Sequence, residues 1–463
     1  MPHGIPDALP HLPRVPWSWS SYDLGDPVAR SWSTVVKGET ATRVLEAARS
    51  VSERLRNPDL VHEAAALANA QTSFPRTSPW LPYSIARGDA GMAVMCGYLN
   101  EYFPEDDWDL AAHHYLAAGV TALESRPDTA PSLFSGMAGL GAAAAYLSHG
   151  GLRYQRLLAA IDSVVARDTE HLISSVRAAR GGLPVSLFDV ISGLAGIGRY
   201  LLLRRDQPSV APTLDRALNC LAELTHCDDG LPRWYTPPEF IDDSVRELFP
   251  AGTLNCGLAH GIPGPLALMA ISHSCKVVPD VTGPAIKRAA DWLCAHRADD
   301  AWGVNWPSMH QRDFGASPSG RCAWCYGPPG VARGLWLAGE AIGRNDYRDL
   351  AVEAMRAVFR RPVPERMIDS ATFCHGISGT LQVTLRFVAE TGLTDLRDGA
   401  TELLTQLLAL HDRDSLLGYR NLERPGIFTD QPGLLDGAAG VVMTLLSAAT
   451  DVEPAWDSIF LLN

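Results

Sequence analysis

Seven times along this chain a Gly-x-x-Gly tetrapeptide opens onto an apolar run. The copies are Gly88-Asp89-Ala90-Gly91, Gly136-Met137-Ala138-Gly139, Gly193-Leu194-Ala195-Gly196, Gly261-Ile262-Pro263-Gly264, Gly327-Pro328-Pro329-Gly330, Gly376-Ile377-Ser378-Gly379 and Gly437-Ala438-Ala439-Gly440. Their second glycines are 48, 57, 68, 66, 49 and 61 residues apart. One pair of glycines carries no weight. Seven in order define an internal repeat, and such units bury their apolar faces by packing on their neighbours.

Runs such as Leu140–Leu147, Ile197–Leu203, Pro265–Ile271, Val331–Leu337 and Val441–Leu446 are apolar almost all round, as buried helices are. Pro263, Pro328 and Pro329 suit helix starts, where the first amides have no intrahelical partner. Amphipathic segments lie between them: Thr40–Arg56, Tyr154–Ile173, Val210–Leu224, Ala285–His296, Asp346–Phe359 and Leu396–Leu410. One inner and one outer helix per repeat, seven times, predicts an all-α fold, an α/α-toroid. Open solenoids have shorter, more even repeats and polar inner faces. The toroid should occupy residues 36–463 as one domain, with 1–35 an irregular N-terminal segment. The long spacers Leu231–Asn255 and Asp299–Gly320 should form loops or short strands over the rim of the cavity.

The 463 residues are 46% hydrophobic and 20% charged, ordinary for a soluble enzyme with a sizeable core. A net charge of −13 argues against a nucleic-acid partner. No apolar run reaches the roughly 18 residues of a membrane span. The first residues lack the basic and apolar regions of a signal peptide. A cytoplasmic location is therefore expected, with the nine irregularly spaced cysteines reduced.

The chemistry sits just before each first glycine. The residues there are Ala86-Arg87, Phe134-Ser135, Ile191-Ser192, Ala259-His260, Cys325-Tyr326, Cys374-His375 and Leu435-Asp436. In a closed ring these turns converge on the axis, and the fourth to sixth are consecutive. His260, Cys325, Cys374 and His375 should therefore meet. Two thiols and an imidazole suit zinc in tetrahedral geometry with one position open, the pattern of a catalytic site. Cys322, which completes a Cys-x-x-Cys with Cys325, is a weaker candidate because no second pair accompanies it. His260 beside such a metal could give or take a proton at neutral pH. Asp189 and Arg321 are charged groups near apolar helix starts, read from position alone as a cap or a rim ion pair. Asp436 is expected to be a helix N-cap.

These motifs resemble the lanthionine synthetase C family, the cyclases of lanthipeptide biosynthesis, and their eukaryotic LanC-like relatives. The residues that carry the likeness are Asp189-Val190-Ile191-Ser192-Gly193-Leu194-Ala195-Gly196, Gly257-Leu258-Ala259-His260-Gly261-Ile262-Pro263-Gly264, Ala323-Trp324-Cys325-Tyr326-Gly327-Pro328-Pro329-Gly330, Cys374-His375-Gly376 and the closing Trp456 to Leu462. The resemblance implies zinc held by Cys325, Cys374 and His375, with His260 as the acid/base group. Arg321 and Asp189 would be its active-site partners, and Tyr326 and Trp324 would line the site.

It also implies a substrate: a precursor peptide, leader plus core, already dehydrated by a separate dehydratase and handled in a biosynthetic complex. A cysteine thiolate of that peptide would add to dehydroalanine or dehydrobutyrine and close a thioether ring. A free thiol is only a few per cent ionised at pH 7, so full ionisation gives roughly 30-fold and positioning must supply more. Rival readings are a LanC-like enzyme adding glutathione to dehydroamino acids, a prenyltransferase-like toroid and a peptide-binding scaffold. A toroidal glycosidase would need paired carboxylates, and Asp89 with Asp436 makes a poor pair.

Overall fold

The computed structural model describes residues 32–74, 79–126, 128–312 and 320–463. Residues 1–31, most of the expected irregular N-terminal segment, lie outside the described residues, as do 313–319 of the second long spacer. In chain order the helices are α1 (Gly38–Leu55), α2 (Pro58–Gln71), α3 (Asp89–Tyr102), α4 (Trp108–Glu124), α5 (Met137–Tyr146), α6 (Gln155–Ala178), α7 (Leu194–Leu203) and α8 (Ala211–Leu224). They continue as α9 (Asp243–Leu248), α10 (Pro263–Ser274), α11 (Pro279–Ala295), α12 (Pro328–Ile342), α13 (Asn345–Arg360), α14 (Ile377–Thr391), α15 (Thr394–Ala409) and α16 (Ala438–Ala449).

Each Gly-x-x-Gly starts an inner helix: α3, α5, α7, α10, α12, α14 and α16. Every one packs on the next, and α16 packs back on α3, so the inner ring closes. The outer helices α4, α6, α8, α11, α13 and α15 each cover the inner helix that precedes them. The seventh hairpin is made from both ends of the chain, α1 lying on α16. Their burial follows the pattern. All of α16 is buried, whereas α1 buries Val44, Ala47, Ala48, Val51 and Leu55, a single stripe at helical spacing. Helices α2 and α9 are additions that the repeat did not announce.

A belt of backbone hydrogen bonds ties the inner turns together. Ala86 N–H donates to Phe134 O (3.1 Å), Phe134 to Ile191 (3.2 Å) and Val190 to Ala259 (3.0 Å). Ala259 donates to Cys325 (3.3 Å), Cys325 to Cys374 (3.2 Å), Cys374 to Leu435 (2.9 Å), and Leu435 returns to Ala86 (3.2 Å). The circuit has seven links, with a one-residue step at Val190-Ile191.

The second glycine of each motif is required by the same crowding. A Cβ on Gly379 would lie 2.0 Å from the Phe373 carbonyl oxygen and 3.2 Å from the Trp324 Cβ. The equivalent positions, Gly91 to Gly440, meet the corresponding carbonyl in their own turn.

Below the belt the axis is filled by the chain's C-terminal segment. Trp456 and Phe460 pack with Phe134, Trp324 and Phe373, all buried. Inner-helix side chains anchor this plug. Arg199 donates to Ser458 O (2.8 Å), Arg333 to Leu462 O (2.7 Å), and Arg386 with Gln382 binds buried Asp457.

The rim carries short strands. β1 (Cys227–Asp228) pairs with β2 (Leu231–Pro232), and β5 (Asn421–Arg424) with β6 (Ile427–Thr429). The two long spacers join each other, β3 (Thr253–Asn255) running antiparallel to β4 (Met309–Gln311). Among the described residues no helix is long and apolar enough to cross a membrane.

Gly379→Ala should cost about 3 kcal/mol in urea unfolding, since only backbone movement relieves the clash. Gly150→Ala is the control: nothing surrounds that position, and the residue's φ of +68° should cost about 1 kcal/mol. Equal losses would contradict the close-approach account.

Candidate metal and active site

The residue directly before each first glycine stands just above the belt. These residues are Arg87, Ser135, Ser192, His260, Tyr326, His375 and Asp436, a polar ring over the apolar axis. Cys325 and Cys374 belong to the belt itself, and the direct backbone bond between them brings their side chains together.

The neighbouring Cys325 thiol, burial and the nearby Asp436 charge hold the Cys374 thiol well above its ordinary range, while Arg321 pulls the other way. Candidate metal-ligating atoms of Cys374, His375 and Asp436 all lie within 4.8 Å of one another. Burial pulls His375 below its usual value, against the raising effect of Asp436, so its imidazole is neutral at pH 7. Two thiols beside a neutral imidazole form a donor set suited to a soft or borderline divalent cation. The residues present therefore fit zinc.

The second half of the site is the Asp189–His260 pair. Asp189 is buried and its Oδ2 lies 2.6 Å from His260 Nδ1. Its Oδ1 accepts the backbone N–H groups of Ser192 (2.7 Å) and Gly193 (2.8 Å). Both amides precede α7, whose N-cap place Gly193 holds without a side-chain bond, so Asp189 braces the turn rather than capping the helix while its other oxygen meets His260. His260 is about one-third exposed.

Tyr326 joins the halves. Its ring centroid is 6.3 Å from that of His260, and its hydroxyl feels the charges of Cys325, Cys374 and Asp189. Burial pushes that hydroxyl up, so it stays protonated. Asn255, on β3, donates to it (3.3 Å) while accepting from Gly257 N–H (2.9 Å). Arg321 exerts its field on both Cys374 and His375 and has no side-chain hydrogen bond among the described residues.

Two expectations are corrected, those for Trp324 and Asp436, while the weaker standing of Cys322 as a ligand agrees with its position. Trp324 does not line the site; it is fully buried in the axial layer and donates to Phe460 O (3.0 Å). Its position, three before the first glycine, places it below the belt. Asp436 is not an N-cap: Gly437 holds that place, with no side-chain bond to the helix. Instead Asp436 Oδ2 accepts from Arg87 Nε (3.1 Å) and Nη2 (2.9 Å), and Oδ1 lies 3.7 Å from His375 Nδ1. Cys322 is buried among the charges of Arg361, Arg366 and Asp300, which places it away from the Cys374 cluster. Burial raises it to about 11.

Asp436, Arg87 and Asn255 were missed as site residues. The shared register offered a signal for the first two, which occupy the same position as His375 in adjoining repeats. Residue type, an aspartate before a helix, pointed the other way.

Native thiol labelling followed by mass mapping should modify exposed Cys227 first, then half-buried Cys275, Cys294 and Cys374. Buried Cys96, Cys220, Cys256, Cys322 and Cys325 should react only on unfolding. Labelling of Cys322 ahead of Cys227 would contradict its placement.

Comparison with known proteins adds a family to this geometry. The family model described as lanthionine synthetase C-like protein matches residues 79–461. The chain is 25% identical over 375 residues to the nisin biosynthesis protein NisC of Lactococcus lactis subsp. lactis, spanning 78% of this chain and 84% of that protein. Among solved structures, nisin cyclase matches its fold with a TM-score of 0.72 at 22% identity, over 83% of this chain and 93% of that one.

Proposed function

The chain belongs to the lanthionine synthetase C-like family, and we propose that it is a zinc-dependent lanthipeptide cyclase. In this reading it adds a cysteine thiol of a dehydrated precursor peptide to dehydroalanine or dehydrobutyrine in the same peptide. The observation that supports the reading is the clustering of Cys374 with His375, with Cys325 next to Cys374, on one side of Tyr326 and the Asp189–His260 pair on the other. Zinc held by Cys325, Cys374 and His375 would supply a Lewis acid that lets the substrate sulfur ionise at neutral pH.

The chain's own groups account for the rest. As sulfur bonds to the β-carbon, the alkene π pair moves toward the carbonyl and an enolate forms. Arg321 offers a cation to the enolate oxygen. The backbone bonds on Oδ1 keep the Asp189 carboxylate still, and its Oδ2 holds the Nδ1–H of His260. That tautomer leaves Nε2 as the working atom. Nε2 takes the proton that the substrate thiol loses and then gives it to the enolate α-carbon, so protons balance over the cycle. Tyr326, kept protonated, can donate to a substrate carbonyl beside it.

The chain's substrate requires dehydrated serine and threonine, so a dehydratase must act on the peptide first. This places the chain in a biosynthetic sequence after dehydration.

Elemental analysis should find one zinc per chain, lost in Cys325→Ala and in Cys374→Ala; unchanged metal in both would sink the ligand assignment. His260→Ala should keep its zinc while ring formation on a dehydrated peptide falls by about 10²-fold or more. Asp189→Asn keeps an acceptor for the turn amides of Ser192 and Gly193 and should lose about 10²–10⁴-fold in kcat. Full activity in either variant would remove the proposed proton donor. Running the same peptide with and without glutathione tells ring closure from intermolecular addition by mass: a ring adds nothing, and glutathione adds its own mass.

A further inference from the structure

We propose that Asp436, pinned by Arg87, is the carboxylate that positions the metal ligand His375. The inference rests on the zinc reading above but concerns two residues that the reading leaves without a role. His375, Asp436 and Arg87 occupy one register position in the sixth, seventh and first repeats, so ring closure sets them side by side.

Asp436 is nearly buried, and helix capping does not explain it, because α16 takes no bond from its side chain. A buried carboxylate needs partners. Arg87 provides two hydrogen bonds, 3.1 and 2.9 Å, both to Oδ2. This leaves Oδ1 directed at the imidazole, 3.7 Å from His375 Nδ1 and a small ring rotation from a hydrogen bond.

A neutral imidazole has one N–H and one lone pair. A carboxylate facing Nδ1 fixes the N–H there and hands the Nε2 lone pair to the cation, and a carboxylate behind a ligating histidine commonly does this. Asp436 is close enough to be weighed as a ligand itself, since its oxygen falls within the 4.8 Å cluster. Two considerations set that aside. Arg87 holds the carboxylate on the seam between repeats, and a third anionic ligand would fill the position that a substrate thiol has to take.

The test is zinc affinity of the full-length protein by chelator competition, with melting of the metal-free protein measured in parallel. Asp436→Asn should bind zinc about 10–100-fold more weakly, with the melting temperature of the metal-free form little changed. Arg87→Ala, which frees the carboxylate, should weaken zinc binding in the same direction by a smaller factor, and Asp436→Glu should restore part of the affinity. Wild-type affinity in Asp436→Asn would overturn the proposal. If that variant does not fold, unchanged affinity in Arg87→Ala overturns it equally. In the cobalt(II)-loaded protein, added thiol should shift the visible spectrum in both wild type and Asp436→Asn; a shift in the variant alone would make Asp436 a ligand and refute the positioning role. A wild-type chain that holds no zinc would overturn the proposed function together with this inference, whereas failure of the variants alone removes only the latter.

Discussion

Seven backbone hydrogen bonds, passed from turn to turn around the axis, are the constraint on which the other features depend. They bring every turn to one height, and they do so without side chains. A belt this tight leaves no room for a Cβ at the second glycine of each motif, which is why the glycines recur while the spacers between them vary. Once the height is set, sequence position alone sorts side chains. Three before the first glycine lies below the belt, two before lies on it, and one before stands above it.

That sorting separates two environments within one turn of chain. Below, Trp324, Phe373 and the C-terminal Trp456 and Phe460 fill the axis and exclude water. Above, the ring is polar. Cys325 and Cys374 sit at the boundary, where burial disfavours the Cys374 thiolate. The Asp189–His260 pair lies on the same boundary, its carboxylate buried and its imidazole partly open. Reactive groups on a dry floor feel each other strongly.

Much of this was legible in the sequence because the repeat is a statement about periodicity, and ring closure turns periodicity into proximity. Inner helices, the outer helices Thr40–Arg56 through Leu396–Leu410, the proline helix starts and the meeting of Cys325 with Cys374 all follow from it. What escaped were features in which direction matters more than level. Trp324 shares a motif with Cys325 yet points to the axis. Asp436 has the residue type of a cap, but the neighbour that claims it, Arg87, is 349 residues away in sequence. Asn255 supports Tyr326 from a strand formed only when two spacers pair, a long-range event with no local signature. Helices α2 and α9 stand outside the repeat and so had no template.

The seventh hairpin, built from α1 and α16, gives the molecule a seam. A ring whose last unit is shared between the two termini cannot be completed by any partial chain, since the first helix waits for the last. The belt's final link, Leu435 to Ala86, and the Arg87–Asp436 pair both cross that seam. The cluster around His375 is therefore among the last parts to be assembled as the polypeptide leaves the ribosome.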